Sequence, residues 1–141
     1  MNTRIKALGE TVLRVQDLQG VTEFYTNVIG LEVLRELEGI TFLRIADGYG
    51  GHTQIIGLFH ESMPVAFQDA DRGQVSIART SLHHFALEID KADYEAELER
   101  LKGCGVEVTT ATHQWCHWRS IYVKDPEGNI VELVCYDEAV R

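Results

Sequence analysis

Positive charge is what this chain lacks most. Its 13 lysines and arginines stand against 22 acids, leaving a net charge of −9 at neutral pH. No stretch gathers the basic residues into a stripe. That balance argues against a nucleic-acid partner and against an anionic membrane surface. Proline is scarce: only Pro64 and Pro126 occur. The three cysteines, Cys104, Cys116 and Cys135, are an odd number and show no C-x-x-C spacing. They predict neither a disulfide framework nor a zinc knuckle, and they suit a reducing cytoplasm, packed as small hydrophobes. No apolar run is long enough to cross a bilayer, and the opening MNTRIKALGETV has no apolar segment of the kind a secretory leader needs.

What is present is an ordinary globular composition. Apolar residues make up 45% and charged residues 25% of 141 residues, enough for one domain with a buried core. The most informative stretch is Ser120–Tyr136, SIYVKDPEGNIVELVCY. Asp125-Pro126-Glu127-Gly128-Asn129 carries turn chemistry, because proline presets φ and glycine accepts φ > 0. The run Ile130–Tyr136 is apolar except for Glu132. Side chains alternate along a strand, so Glu132 shares a face with Ile130, Val134 and Tyr136. An unpaired carboxylate buried on that face costs several kcal/mol. Either water, a cation or a cationic partner must meet it.

Earlier in the chain, Thr11–Val15 alternates as a strand, with Thr11, Leu13 and Val15 on the core side and Glu10, Val12 and Arg14 on the other. Asp17 is placed to cap a helix over about Gln19–Ile29. Its stripe is Val21, Phe24, Tyr25 and Val28, and Gly30 stands at its end. Strands are expected over Leu31–Leu37, Ile40–Ile45 and His52–Phe59. Residues 61–80 show little periodicity and read as a connecting arm that crosses between halves or subunits. The pattern then restarts. His84–Ile89 reads as a strand, Ala92–Lys102 as a helix that Asp90 can cap, and Val106–Thr109, Trp115–Val123 and Ile130–Tyr136 as strands. Both halves therefore read β-α-β-β-β. Glu10 aligns with His84, Gly30 with Gly105, and Gln54 with Glu132, at an offset that drifts little. This argues for an internal duplication, which sets Glu10, Gln54, His84 and Glu132 at related points.

The runs VLRVQDL and FYTNVIGL in the first half, and LHHFALEI and SIYVKDPEGNIVEL in the second, resemble the vicinal oxygen chelate superfamily of glyoxalases, bleomycin-resistance proteins and extradiol dioxygenases. The resemblance covers residues from about 10 to 136. It implies one α+β domain of two βαβββ modules, about 8–60 and about 81–137, forming an open, cupped mixed sheet around a divalent metal (Fe, Mn, Ni or Zn). The family's ligands lie on the first and last strands of each module. Carried over, they are His84 and Glu132 in the second module. In the first, Glu10 stands where many members have histidine, and Gln54, or His52 two residues away, takes the last-strand place. A glutamine is a weak ligand, and the missing histidine departs from both glyoxalase I and the two-histidine, one-carboxylate iron site.

Other residues fall around this set. Ser120 and Tyr122 share the face that the resemblance turns toward substrate, and could orient a polar ligand or supply a proton. Trp118 on the same face, with Trp115 and His52, would line a substrate pocket. Glu10, if not a ligand, is the natural general base. His83 points away from His84 and reads as structural. Arg119 falls on the outer face, in a surface ion pair. The implied function is a metal-dependent lyase, isomerase or ring-cleaving dioxygenase acting on a small vicinal-oxygen substrate, cytoplasmic and homodimeric through the arm. The alternative is a metal-free small-molecule or drug-binding protein of the bleomycin-resistance kind.

Overall fold

The computed structural model describes residues 4–64 and 82–141. The connecting arm expected over 61–80, and the dimer contact assigned to it, fall almost wholly outside the described residues. The chain divides into two compact units, Met1–Gln68 and Asp69–Arg141, each with its own four-stranded sheet.

In the first unit the order is β1 (Glu10–Val15), α1 (Leu18–Phe24), β2 (Glu32–Leu37), β3 (Ile40–Asp47) and β4 (Thr53–His60). The strands lie β1-β4-β3-β2, with β1 parallel to β4 and the rest antiparallel. Asp17 caps α1 by accepting from the Gly20 amide at 2.9 Å. The last turn, Tyr25–Ile29, widens into a π-helix and ends at Gly30, whose φ of 91° needs no Cβ. The wider turn carries Ile29 into the core beside Val21, Phe24 and Tyr25, whereas the regular stripe expects Val28 there. Leu13, Val15, Leu43, Ile56 and Leu58 complete that core.

The second unit repeats the order: β5 (Phe85–Glu88), α2 (Tyr94–Gly103), β6 (Val108–His113), β7 (Trp118–Lys124) and β8 (Ile130–Tyr136). Its strands lie β5-β8-β7-β6, again with the first and last parallel. The α+β class and the twice-repeated βαβββ order are therefore as the sequence predicts. Strand β8 matches its expected bounds residue for residue. Its preceding turn is held by Asp125, whose Oδ1 accepts from the amides of Glu127 and Asn129 at 2.9 and 2.8 Å. Gly128 takes φ 85° there. Asp90 makes no side-chain capping bond; a 3-10 turn over Lys91–Asp93 leads into α2 instead. Strand β6 is longer than expected and reaches His113, and β7 begins only at Trp118 after a short 3-10 turn over Gln114–Cys116.

Candidate active site

Strand β8 positions the second unit's polar cluster. Tyr122 on β7 stands directly opposite Glu132, and Ser120 opposite Val134. Partners across a ladder share a face, so Ser120, Tyr122 and Glu132 project together. The Glu132 side chain is 3% exposed. Its Oε1 accepts from the Ser120 hydroxyl, and its Oε2 lies 3.3 Å from His84 Nε2. His84 immediately precedes β5, with its side chain 37% exposed. The His84 ring is tied at its other nitrogen, because His83 Nδ1 and His84 Nδ1 lie 2.6 Å apart. His83 thus orients the imidazole, a contact at odds with the expectation that it faces away. A buried carboxylate is satisfied here by one hydroxyl and one imidazole nitrogen, the pairing that burial demands.

Tyr122 extends the cluster. Its ring stands edge-on to His84 with centroids 6.1 Å apart. Its hydroxyl lies 2.8 Å from His113 Nε2. Burial is the main cause that raises the Tyr122 phenol above its ordinary value, and the Glu132 charge adds to it, against a lowering from Ser120. The phenol is therefore a protonated donor at neutral pH. His113 is a site neighbour that the sequence reading passed over. It lies on β6 in line with Thr109 and Ala111, which stand opposite Tyr122 and Ser120.

Trp118 pairs with Tyr136 at the far end of the same ladder. Together with Glu88, Asp90 and Val134 they line a cleft of about 320 Å³. Trp115 does not line it; it sits in the 3-10 turn and is 87% exposed. Behind the sheet, Tyr94 donates to the Ser120 carbonyl at 3.1 Å. Arg119 stacks 3.9 Å over the Tyr94 ring and pairs with Glu95 at 2.5 Å, on the outer face as expected.

The first unit is different. Glu10 opens β1 opposite Ile55, and Val12 stands opposite Gly57, so Glu10, Val12, Ile55 and Gly57 share a face. Gln54 alternates with Ile55 and lies on the face of Ile56 and Leu58, which are buried against the core. The expectation that Gln54 joins Glu10 is therefore corrected: the register puts the two on opposite faces of the sheet. With Glu10 aligned to His84, Thr11 stands opposite Ile56 as Phe85 stands opposite Val131, and Val12 opposite Gly57 as Ala86 stands opposite Glu132, so the residue matching Glu132 is Gly57. His52 is outside β4, exposed, in the turn closed by the Gly48 amide donating to its carbonyl at 2.7 Å. Among the described residues no three His, Cys, Asp or Glu side chains gather into a ready-made metal cluster.

Repeated βαβββ units with a histidine before one strand and a buried glutamate on its parallel neighbour define a class of protein. The chain belongs to the Glyoxalase/Bleomycin resistance protein/Dioxygenase superfamily, whose family model matches residues 7–133. It is 33% identical over 134 residues to a lactoylglutathione lyase of Neisseria meningitidis, covering 90% of this chain and 88% of that one. It is 29% identical to a catechol-2,3-dioxygenase of Bacillus subtilis, over 89% of this chain and 40% of that protein. Among solved structures, a lactoylglutathione lyase from Agrobacterium tumefaciens superposes with a TM-score of 0.66 at 29% identity, covering 93% of this chain and 94% of that one. A fosfomycin resistance protein from Listeria monocytogenes, solved with Mn(II), shares the fold at TM-score 0.63 and 22% identity, over 96% and 94% of the two chains. The relatives thus include lyases and a dioxygenase. Among the described residues no helix is long and apolar enough to cross a membrane.

Proposed function

We propose that the chain is a divalent-metal-dependent enzyme acting on a small substrate with vicinal oxygens. The observation that carries this reading is the Glu132 carboxylate, 3% exposed on an apolar strand and 3.3 Å from His84 Nε2. An imidazole nitrogen and a carboxylate oxygen are a donor set that Mn, Fe, Ni and Zn ions accept, so these residues fit the group the family implies. His84 and Glu132 would hold the ion. When bound, the ion supplies Lewis acidity toward a substrate oxygen.

The chain's own residues do the rest. Ser120 fixes one carboxylate oxygen of Glu132, and His83 fixes the His84 ring, so neither donor searches rotamers when it is needed. Tyr122, held at its hydroxyl by His113, is a protonated donor on the same face, suited to hydrogen-bond or protonate a substrate oxygen. Trp118 offers an apolar wall for the part of the substrate away from the oxygens. A cytoplasmic homodimer is part of this reading, resting on the arm's length and on the cysteine pattern.

Metal analysis of protein purified without chelator, followed by calorimetric titration with Mn²⁺, Ni²⁺ and Zn²⁺, tests the proposal. A stoichiometric ion is expected, with His84→Ala and Glu132→Ala each losing it while the far-ultraviolet circular dichroism stays unchanged. A second reading, a metal-free binding protein, draws on the cleft lined by Trp118, Tyr136, Glu88 and Asp90. Absence of metal, with no rise in melting temperature on adding any of the three ions, decides for it.

A further inference from the structure

We infer that Tyr94 is a positioning residue for Glu132, acting from behind the sheet through Ser120. All three residues lie in the second unit. The Tyr94 hydroxyl donates to the Ser120 carbonyl at 3.1 Å, and the Ser120 hydroxyl donates to Oε1 of Glu132. One short residue thus carries both contacts, its backbone held by the helix and its side chain holding the acid. A serine hydroxyl sits one bond beyond Cβ, so the backbone and a single χ1 rotamer fix where it points. Glutamate has more torsions to turn, and its carboxylate settles where the serine donor stands. A shift of the β7 backbone at Ser120 therefore shifts the Glu132 carboxylate.

Tyr94 is itself held in place. It is 4% exposed, the Arg119 guanidinium covers its ring at 3.9 Å, and Glu95 holds that guanidinium at 2.5 Å. Packing alone does not call for the hydroxyl, since a phenylalanine would bury the same ring. A buried phenol needs a hydrogen-bond partner, and here the partner is the carbonyl of the residue that holds the site's carboxylate. The first unit supplies the contrast. Its residue four after Asp17 is Val21, fully buried and without a donor, where Tyr94 stands four after Asp90. The first unit's counterpart of Glu132 is Gly57, so the unit without the last-strand acid is also without the phenol. The inference rests on the metal reading above, because the carboxylate being positioned is one of the two proposed ligands.

Calorimetric titration with Mn²⁺ on the wild type, Tyr94→Phe, Ser120→Ala, their double variant and Lys91→Met tests it, with metal-free melting temperatures measured alongside. Tyr94→Phe keeps the ring under Arg119 and removes only the donor. It is expected to weaken Mn²⁺ binding about 5-fold, below the roughly 10- to 100-fold cost of losing a partner that touches the ligand itself. The double variant is expected to bind no more weakly than Ser120→Ala, because the phenol acts only through that hydroxyl. Lys91→Met breaks the ion pair to Asp137, which does not pass through Ser120. It should lower the melting temperature and leave Mn²⁺ affinity unchanged. Tyr94→Phe binding Mn²⁺ like the wild type overturns the inference. So does an additive loss in the double variant. An equal loss of affinity in Lys91→Met overturns it too, by making affinity a reflection of stability alone. A wild type that binds none of Mn²⁺, Ni²⁺ or Zn²⁺ fails at the metal reading itself, before any variant is compared, and takes the inference with it.

Discussion

The Ser120 hydroxyl donates to Oε1 of Glu132, and both side chains are buried, at 0% and 2% exposure of the residue. The two lie diagonally across the β7–β8 ladder, since Ser120 stands opposite Val134. Ser120→Ala leaves a buried carboxylate oxygen without its donor. The expected loss is about 1–3 kcal/mol of folding stability, the desolvation cost of an unsatisfied group. Denaturant melts of metal-free wild type, Ser120→Ala and the Ser120→Ala/Glu132→Gln pair check it. The variant pair should lose less than Ser120→Ala alone, because a neutral amide is cheaper to bury than a carboxylate. Equal melting of Ser120→Ala and wild type would show the hydroxyl to be a bystander.

Tyr122 carries a pH prediction. Burial first, and then the Glu132 charge, raise its phenol above the ordinary tyrosine range. A group whose folded value is raised contributes stability that is complete below its unfolded value and is lost as pH climbs through the folded one. The metal-free protein should therefore weaken on the alkaline side. Tyr94 adds to this, because burial raises it too. Ultraviolet difference titration should show a late-ionising tyrosine that disappears in Tyr122→Phe, and the variant's alkaline loss of melting temperature should be shallower. A Tyr122→Phe titration curve that superposes on the wild type removes the claim.

The α1 cap gives a prediction of the first unit alone. Asp17 Oδ1 accepts from the Gly20 amide, one of the helix donors with no intrahelical partner. Asp17→Ala should cost about 1 kcal/mol. A Cβ at Gly20 would come within 2.3 Å of Asp17 Oδ2, so Gly20→Ala should also destabilise, by breaking the same cap. Thermal melts of the two single variants and their double decide it: the double should be less than additive.

Much of this architecture was legible because periodicity survives duplication. Strand β8 could be read to its ends, since Ile130–Tyr136 is bounded by a turn whose Asp125, Gly128 and Asn129 each have a mechanical reason to be there. His84 and Glu132 were legible for the same reason, and they do meet. Gln54 was not the right partner for Glu10, and the cause is physical. Both faces of β4 are apolar, so alternation could not fix its register, and β3 carries an irregularity between Arg44 and Ala46 that a fixed offset ignores. The match was drawn to a polar residue, whereas the true counterpart of Glu132 is a glycine, which offers no chemistry to notice. His113 was missed because β6 outruns its expected end at Thr109. Residues 109–113 are Thr-Thr-Ala-Thr-His, too polar and too weakly alternating to read as a strand from sequence.

The last prediction concerns the chain's end. Asp137 directly follows β8 and is buried, yet it is a carboxylate. Lys91 Nζ lies 2.6 Å from its Oδ1, Arg119 stands 3.8 Å from its Oδ2, and the Ala139 amide donates to Oδ1 at 3.0 Å. The Lys91 hydrogen bond first, then the Ala139 amide, hold the Asp137 carboxyl below its ordinary value. The same contact raises Lys91. The signs fix two edges. A depressed carboxyl contributes stability that is present above its unfolded value and is lost as pH falls through the lower folded one. A raised lysine contributes stability that is present below its unfolded value and is lost as pH rises through the higher folded one. Asp137→Asn should therefore lower the melting temperature most between those edges, near neutral pH, and the gap from wild type should close in acid. Lys91→Met should show the same neutral loss, with the gap closing in alkali as well. Because β8 ends at Tyr136, the lost clamp should also raise amide exchange at Asp137–Val140 before it is felt at Glu132. A gap between Asp137→Asn and wild type that stays constant from acid to neutral pH would mean that Asp137 holds the turn through shape alone, with its charge contributing nothing.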